Sequence, residues 1–260
     1  MENHDRDSDI IADCLAALGV RQACLAHERL PGGISGSRTF RLDLADYQAV
    51  LKVTLAASEP FILQRVQREL AFYRTLAAQV PMRVPEVLAS CANEAFACCL
   101  LLATYDAVSP PHLWKEADFL EVAELVADLH ARFWDQATEL SALPWLPVPP
   151  EQISAVKIQQ AAEAWLALTD NVRFGRLLGP PRQQRLRDLL SRIPEFGALL
   201  LSLPLTLCHG DCHIGNLLRD SHGHLVWADW QEVRLGRGPE DLSFLQQRAR
   251  ADEHRSPTRW

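Results

Sequence analysis

Asp211, Asn216 and Asp229 bring two carboxylates and a carboxamide into one short stretch of chain. Oxygen donors of this kind suit a hard divalent cation such as Mg²⁺. A carboxylate beside a hydroxyl can also orient that hydroxyl and accept its proton. Together the three point to phosphoryl transfer. That reaction asks for little covalent chemistry from a protein, but it requires a metal to neutralise the phosphates and a carboxylate at the attacking oxygen. Asp211 is therefore assigned to the acceptor hydroxyl, and Asn216 and Asp229 to Mg²⁺.

Such residues need a frame. LTLCHGDCHIGNLL (205–218) and HLVWADW (224–230) read as strand, polar loop, strand and strand, with Asp229 closing the apolar run Leu225 to Ala228. His209 stands two residues before Asp211, and Asn216 five after it, which is the H-x-D-x-x-x-x-N spacing of a kinase catalytic loop. Far upstream, Lys52 sits in an apolar strand. Only Lys115 and Lys157 share its residue type, because the basic residues are overwhelmingly arginine. AVLK (49–52) resembles the kinase V-A-I-K strand, so Lys52 is expected to hold the α- and β-phosphates. Glu69 falls on the apolar stripe of Ile62, Val66, Tyr73 and Leu76, and a carboxylate pointing inward there needs a cationic partner. Lys52 is the expected partner.

PGGISGS (31–37) lies between two strand-like runs, and its glycines would let backbone amides approach a phosphate. It does not match G-x-G-x-x-G. Gly33, Ser35, Gly36 and Ser37 are the nucleotide contacts expected there.

HGDCHIGNLL (209–218) with ADW (228–230) resembles the aminoglycoside phosphotransferase and choline kinase family, which shares the protein-kinase fold. RELAFY (68–73) and LHARFW (129–134) also look like family segments, and the likeness runs from about Leu30 to Leu245. The resemblance implies an α+β, bilobal protein-kinase-like fold, with a small antiparallel-sheet N-lobe over residues 1–104 and a mainly helical C-lobe over 105–260. It implies ATP, or GTP, as phosphate donor and a small-molecule hydroxyl as acceptor: an aminoglycoside, an amino alcohol, a sugar or a macrolide. The loop positions matching His213 and Gly215 shape the turn in that family. Asp241, after Gly236 and Gly238, is expected to anchor the start of the next helix. The family continues with further helices, whereas Gln246 to Trp260 is polar and lacks helical apolar spacing.

Secondary-structure signals agree with this frame. A helix is expected near Ile10 to Leu18, strands over 24–30, 38–44, 48–55, 85–89 and 95–103, and a helix over 60–79. After turn residues 104–111, helices are expected along Phe119 to Phe133, 151–168 and 181–200.

Bulk properties narrow the class. A formal net charge of −7 argues against nucleic acid as a partner. No apolar run reaches the roughly 18–20 residues of a membrane span, and the polar start MENHDRDSD is unlike an export signal. Seven cysteines without such a signal fit reduced thiols, so a cytoplasmic protein is expected. Two other readings use the same residues. A metallophosphoesterase could use Asp211 and His213, but it needs more ligands than His27, His112, His130, His222 and His224 provide by clustering. A nucleotide-binding pseudokinase is the non-enzymatic alternative, against which stands the presence of all five residues of the catalytic set.

Overall fold

Alternation along one strand decides where the lysine points. In the computed structural model, which describes residues 2–30, 36–149 and 155–253, an antiparallel sheet has the order β1-β2-β3-β5-β4. Its strands are β1 (Cys24–Arg29), β2 (Arg38–Leu44), β3 (Gln48–Leu55), β4 (Val87–Cys91) and β5 (Phe96–Ala103). Successive side chains leave a strand on opposite faces. Ala49, Leu51 and Val53 of β3 join Phe40, Leu42, Cys99 and Leu101 under helix α1 (Glu2–Ala17), which adds Ile11, Cys14 and Leu15. Lys52 therefore leaves on the other face, where Leu100 is its cross-strand partner. There helix α2 (Pro60–Thr75) packs Val66 and Leu70 against Cys98, Leu100 and Leu102.

A second core gathers beneath the catalytic segment. Phe72 and Leu76 from α2 meet Val122, Val126 and Leu129 from α3 (Glu116–Arg132), together with Leu207, Ile214, Leu217, Trp227 and Trp230. Short strands carry the loop: β6 (Asp106–Ala107), β7 (Thr206–Cys208), β8 (Leu217–Arg219), β9 (Leu225–Trp227) and β10 (Arg234–Gly236). They pair as β6-β8-β9 and β10-β7. A five-residue helix α4 (Ala137–Ser141) follows α3, and α8 (Pro239–Glu253) follows β10. α8 thus remains helical beyond Gln246, where apolar spacing gave no such signal. α1 likewise begins well before Ile10.

By its contacts the chain divides into two units, Met1–Pro147 with Thr206–Trp260, and Val148–Leu205. The expected lobe boundary at residue 104 falls inside the first unit, where β5 gives way to β6. The second unit contains α5 (Ala155–Asp170), α6 (Val172–Ser191) and α7 (Ile193–Ser202). α6 starts ahead of the expected Pro181 because Asn171 caps it, accepting from the backbone N–H groups of Arg173 and Phe174. The helix is interrupted by a kink at Gly179, whose φ of 67° precedes Pro180 and Pro181. Among the described residues no helix is long and apolar enough to cross a membrane.

Candidate active site

The face alternation of β3 brings Lys52 against α2, and two carboxylates meet it there. Lys52 Nζ lies 2.8 Å from Glu69 Oε2 and 2.8 Å from Asp229 Oδ1. Burial disfavours the ammonium, but Glu69 and Asp229 outweigh it, and the lysine pKa is raised. Glu69 is buried as well. Desolvation pushes its carboxyl up while Lys52 pulls it down, and the net direction is upward. Gln231 Nε2 donates to Glu69 Oε2 at 3.3 Å, so the expected Lys52–Glu69 pair is part of a larger buried group.

Asp229 reaches the lysine because its backbone turns sharply after β9. It adopts φ 63° and ψ 62°, in the left-handed region that Asp tolerates better than most residues. Trp230 then stacks flat on Phe72 of α2, with centroids 4.1 Å apart and planes 9° from parallel, and donates its indole N–H to the Trp227 carbonyl. This stacking holds the turn against α2 from below.

The loop between β7 and β8 is organised from behind by Asp241. Its carboxylate accepts from the backbone N–H of His209 at 2.8 Å, from that of Gly210 at 2.9 Å, and meets His130 Nε2 at 3.1 Å. Burial opposes ionisation, but His130, His209 and the Gly210 amide prevail and the pKa is lowered. Asp241 does lie in the first turn of α8, as expected, yet its carboxylate serves the loop. Gly210 has φ 85°, and a Cβ there would stand 2.0 Å from the Glu232 carbonyl oxygen, so the close approach requires glycine. His209 is buried. Desolvation lowers its pKa, its Nδ1 accepts from the Asp211 N–H at 3.2 Å, and its Nε2 faces the Ala228 carbonyl at 3.1 Å.

That scaffold presents Asp211 and Asn216. Asn216 Nδ2 donates to the Asp211 carbonyl at 2.9 Å and to Asp211 Oδ2 at 3.1 Å, which leaves the amide oxygen available as an acceptor. His213 Nδ1 accepts from the Gly215 N–H at 3.0 Å, and its Nε2 lies 3.5 Å from Asp211 Oδ2. The Asp211 carboxyl is lowered to about 2, first by hydrogen bonding to His213, against burial, with the imidazole's charge and Asn216 adding to the effect. The turn-shaping role expected of His213 is present, and so is an electrostatic one.

Lys52, Glu69, Asn216 and Asp229 border one cavity of about 490 Å³. Val50 and Leu218 give it apolar walls, and the segment Leu102 to Tyr105 forms an edge. Gly33 and Ser35 lie outside the described residues. Gly36, with φ 74°, packs so closely on Ile62 that a Cβ would meet Ile62 Cδ1 at 2.4 Å. Ser37 is buried and bonds Thr54 Oγ1 at 2.8 Å. Among the described residues neither borders the cavity.

Several participants escaped the sequence reading. Tyr73 lines the cavity one helical turn after Glu69, with its hydroxyl buried and unpartnered. In the sequence it belongs to the apolar stripe, and its position at i+4 from Glu69 is the signal for more. Gln231, Glu232 and Arg234 carry no spacing that marks them. Arg234 Nη1 donates to the Gly210 carbonyl at 3.2 Å and Nη2 to Glu240 at 3.1 Å.

A sequence model of the phosphotransferase enzyme family matches residues 27–257. No curated protein matches the chain significantly by sequence. Among solved structures, a GDP complex of a mutant aminoglycoside 2'-phosphotransferase-IIIa superposes with a TM-score of 0.63 at 16% identity, over 94% of this chain and 80% of the other. Macrolide 2'-phosphotransferase MphH from Brachybacterium faecium gives 0.60 at 17% identity, over 94% and 82%. Choline kinase LicA from Streptococcus pneumoniae gives 0.55 at 14% identity, over 95% and 77%. At these identities the likeness bears on the fold, which is the α+β, protein-kinase-like one.

Proposed function

This chain belongs to the phosphotransferase enzyme family, and from that premise we propose that it transfers the γ-phosphoryl group of ATP or GTP to a hydroxyl of a small molecule. The observation that carries the reading is Lys52 held at 2.8 Å by both Glu69 and Asp229 on the wall of a cavity that Asn216 shares. A charged lysine so fixed is suited to the α- and β-phosphates. The apolar walls at Val50 and Leu218 suit the base.

The donor set also fits Mg²⁺. Asp229 already turns a carboxylate oxygen toward a cation, and Asn216 spends its NH₂ on Asp211 while keeping its carbonyl oxygen, so both available ligand atoms are oxygens. When bound, the metal would neutralise charge developing on the phosphates. Asp211 orients the acceptor hydroxyl. The hydroxyl oxygen bonds to the γ-phosphorus, the bond from that phosphorus to the β,γ-bridging oxygen breaks, and its electron pair leaves with the nucleoside diphosphate. The acceptor's proton passes to Asp211. A pKa of about 2 keeps this carboxylate anionic, so orientation is its larger contribution and the proton moves late, in keeping with a loose transition state. Gly33, Ser35, Gly36 and Ser37 are retained as the loop proposed to lie over the phosphates, Gly36 and Ser37 acting through backbone position.

Aminoglycosides, a macrolide and choline are substrates named for the similar structures, and an acceptor of that kind, working in the cytoplasm, is the proposal here. The first test is thermal unfolding of the purified chain with ATP or GTP, with and without Mg²⁺. Nucleotide at a hundred times its Kd stabilises by about 2.7 kcal/mol. A Mg²⁺-dependent shift that disappears in Asp229→Ala supports the reading, and no shift with either nucleotide overturns it.

A further inference from the structure

Helix α2 carries one half of the lysine site, and apolar packing by itself cannot fix its rotation. Val66 and Leu70 press on Leu100 and Leu102, but such contacts are non-directional, and a small turn of the helix would carry the Glu69 carboxylate away from Lys52. Charged hydrogen bonds do have direction. The turn that follows Asp229 accepts two of them from Arg68, one residue before Glu69 in α2, and adds an ion pair to Arg65, one helical turn before Glu69.

Glu232 is the centre of this contact. Its Oε1 is paired with Arg65 Nε, and its Oε2 lies 3.4 Å from Arg68 Nη1. The same Arg68 nitrogen donates to the Gln231 carbonyl at 3.0 Å. Arg65 and Arg68 are three residues apart on one face of the helix, so a single carboxylate grips two successive turns. The Arg68 side chain is only 13% exposed and that of Glu232 29%, which places the pairs beyond the weak, fully solvated class. Since Glu232 is three residues from Asp229, the clamp ties the metal carboxylate's own turn to the helix that aims Glu69.

We propose that Glu232, acting through Arg65 and Arg68, is a positioning residue that locks α2 in rotation, so that Lys52 is shared between Glu69 and Asp229 and held for the phosphates. This rests on the reading of the site as a nucleotide-dependent phosphotransferase. The consequence is selective. Releasing the clamp disturbs the charged end of the nucleotide site and leaves the apolar slot for the base in place.

The test compares a triphosphate with its nucleoside. Affinities for Mg·ATP and adenosine, or for Mg·GTP and guanosine if that is the pair the wild type binds, are measured by calorimetry on the full chain. Glu232→Gln keeps the side chain's shape, Arg68→Gln removes the partner's charge, and melting temperatures check that each variant is folded. The expected result is a loss of at least tenfold in triphosphate affinity for each variant, nucleoside affinity within twofold of wild type, and a double variant no weaker than the worse single one. Equal losses for triphosphate and nucleoside, additive losses in the double variant, or unchanged triphosphate binding would each overturn the clamp. A wild type that binds neither triphosphate overturns the underlying functional reading instead.

Discussion

The two acidic ends of the site are held by opposite means. Glu69 is 2% exposed in its side chain and depends on Lys52 and Gln231 for its charge, whereas the Asp211 side chain is 28% exposed and is steadied by His213 and Asn216. A buried carboxylate is costly without its partner. It therefore suits a fixed ion pair that never leaves the protein. A half-exposed carboxylate already anionic at low pH can receive an incoming hydroxyl without prior rearrangement. On the proposed reading the contrast separates donor binding from acceptor chemistry, and substitution can break either side.

The largest effect is expected at the open end. Asp211→Ala should lower kcat by about 10³-fold, the order expected for loss of a positioned carboxylate, while nucleotide affinity stays within threefold. Steady-state kinetics alongside calorimetry checks this, and unchanged turnover would remove Asp211 from the mechanism. Behind it, Asp241→Ala should destabilise the fold by about 3 kcal/mol, because two loop N–H groups and His130 lose a buried anion at once. Urea unfolding measures that.

Acid should act next. The Asp211 pKa is lowered from 3.8 to about 2 in the folded chain, so the unfolded chain binds the proton more readily. The associated stability is complete above pH 4 and lost as pH falls toward 2. It amounts to about 2 kcal/mol at 1.36 kcal/mol per pKa unit, and Asp211→Asn should abolish that part of the acid dependence. The smallest change is expected at the donor end. Tyr73→Phe removes a buried hydroxyl without a partner and should be neutral or stabilising by up to about 1 kcal/mol. A marked loss of nucleotide affinity in that variant would instead show that the hydroxyl serves the ligand.

Elements with a clear period were legible before any fold was known. Expected bounds for β2 and β3 coincide with those found, because Phe40, Leu42 and Leu44, and then Ala49, Leu51 and Val53, alternate with residues of the opposite face. α4 and β10 were missed, being five and three residues long and too short to show any period. The early part of α1 was hidden by its polar composition, and among the described residues its fully buried apolar side chains, Ile11, Cys14 and Leu15, all come late in the helix.

Local chemistry behaved in the same way. Residue type and spacing along the chain determined Asp211, Asn216 and Asp229 as a set, and the inward stripe of α2 determined that Glu69 needed a cation. Spacing survives in a linear chain because strand and helix periods convert it directly into a shared face. What only the tertiary structure decided was the company these residues keep: Gln231 on Glu69, Glu232 on Arg65 and Arg68, and Asp241 on the loop backbone. Those contacts join distant segments, with Glu232 and Arg65 the farthest apart along the chain. No local period encodes such a meeting, because the packing of α2, the catalytic loop and α8 around a common core creates it.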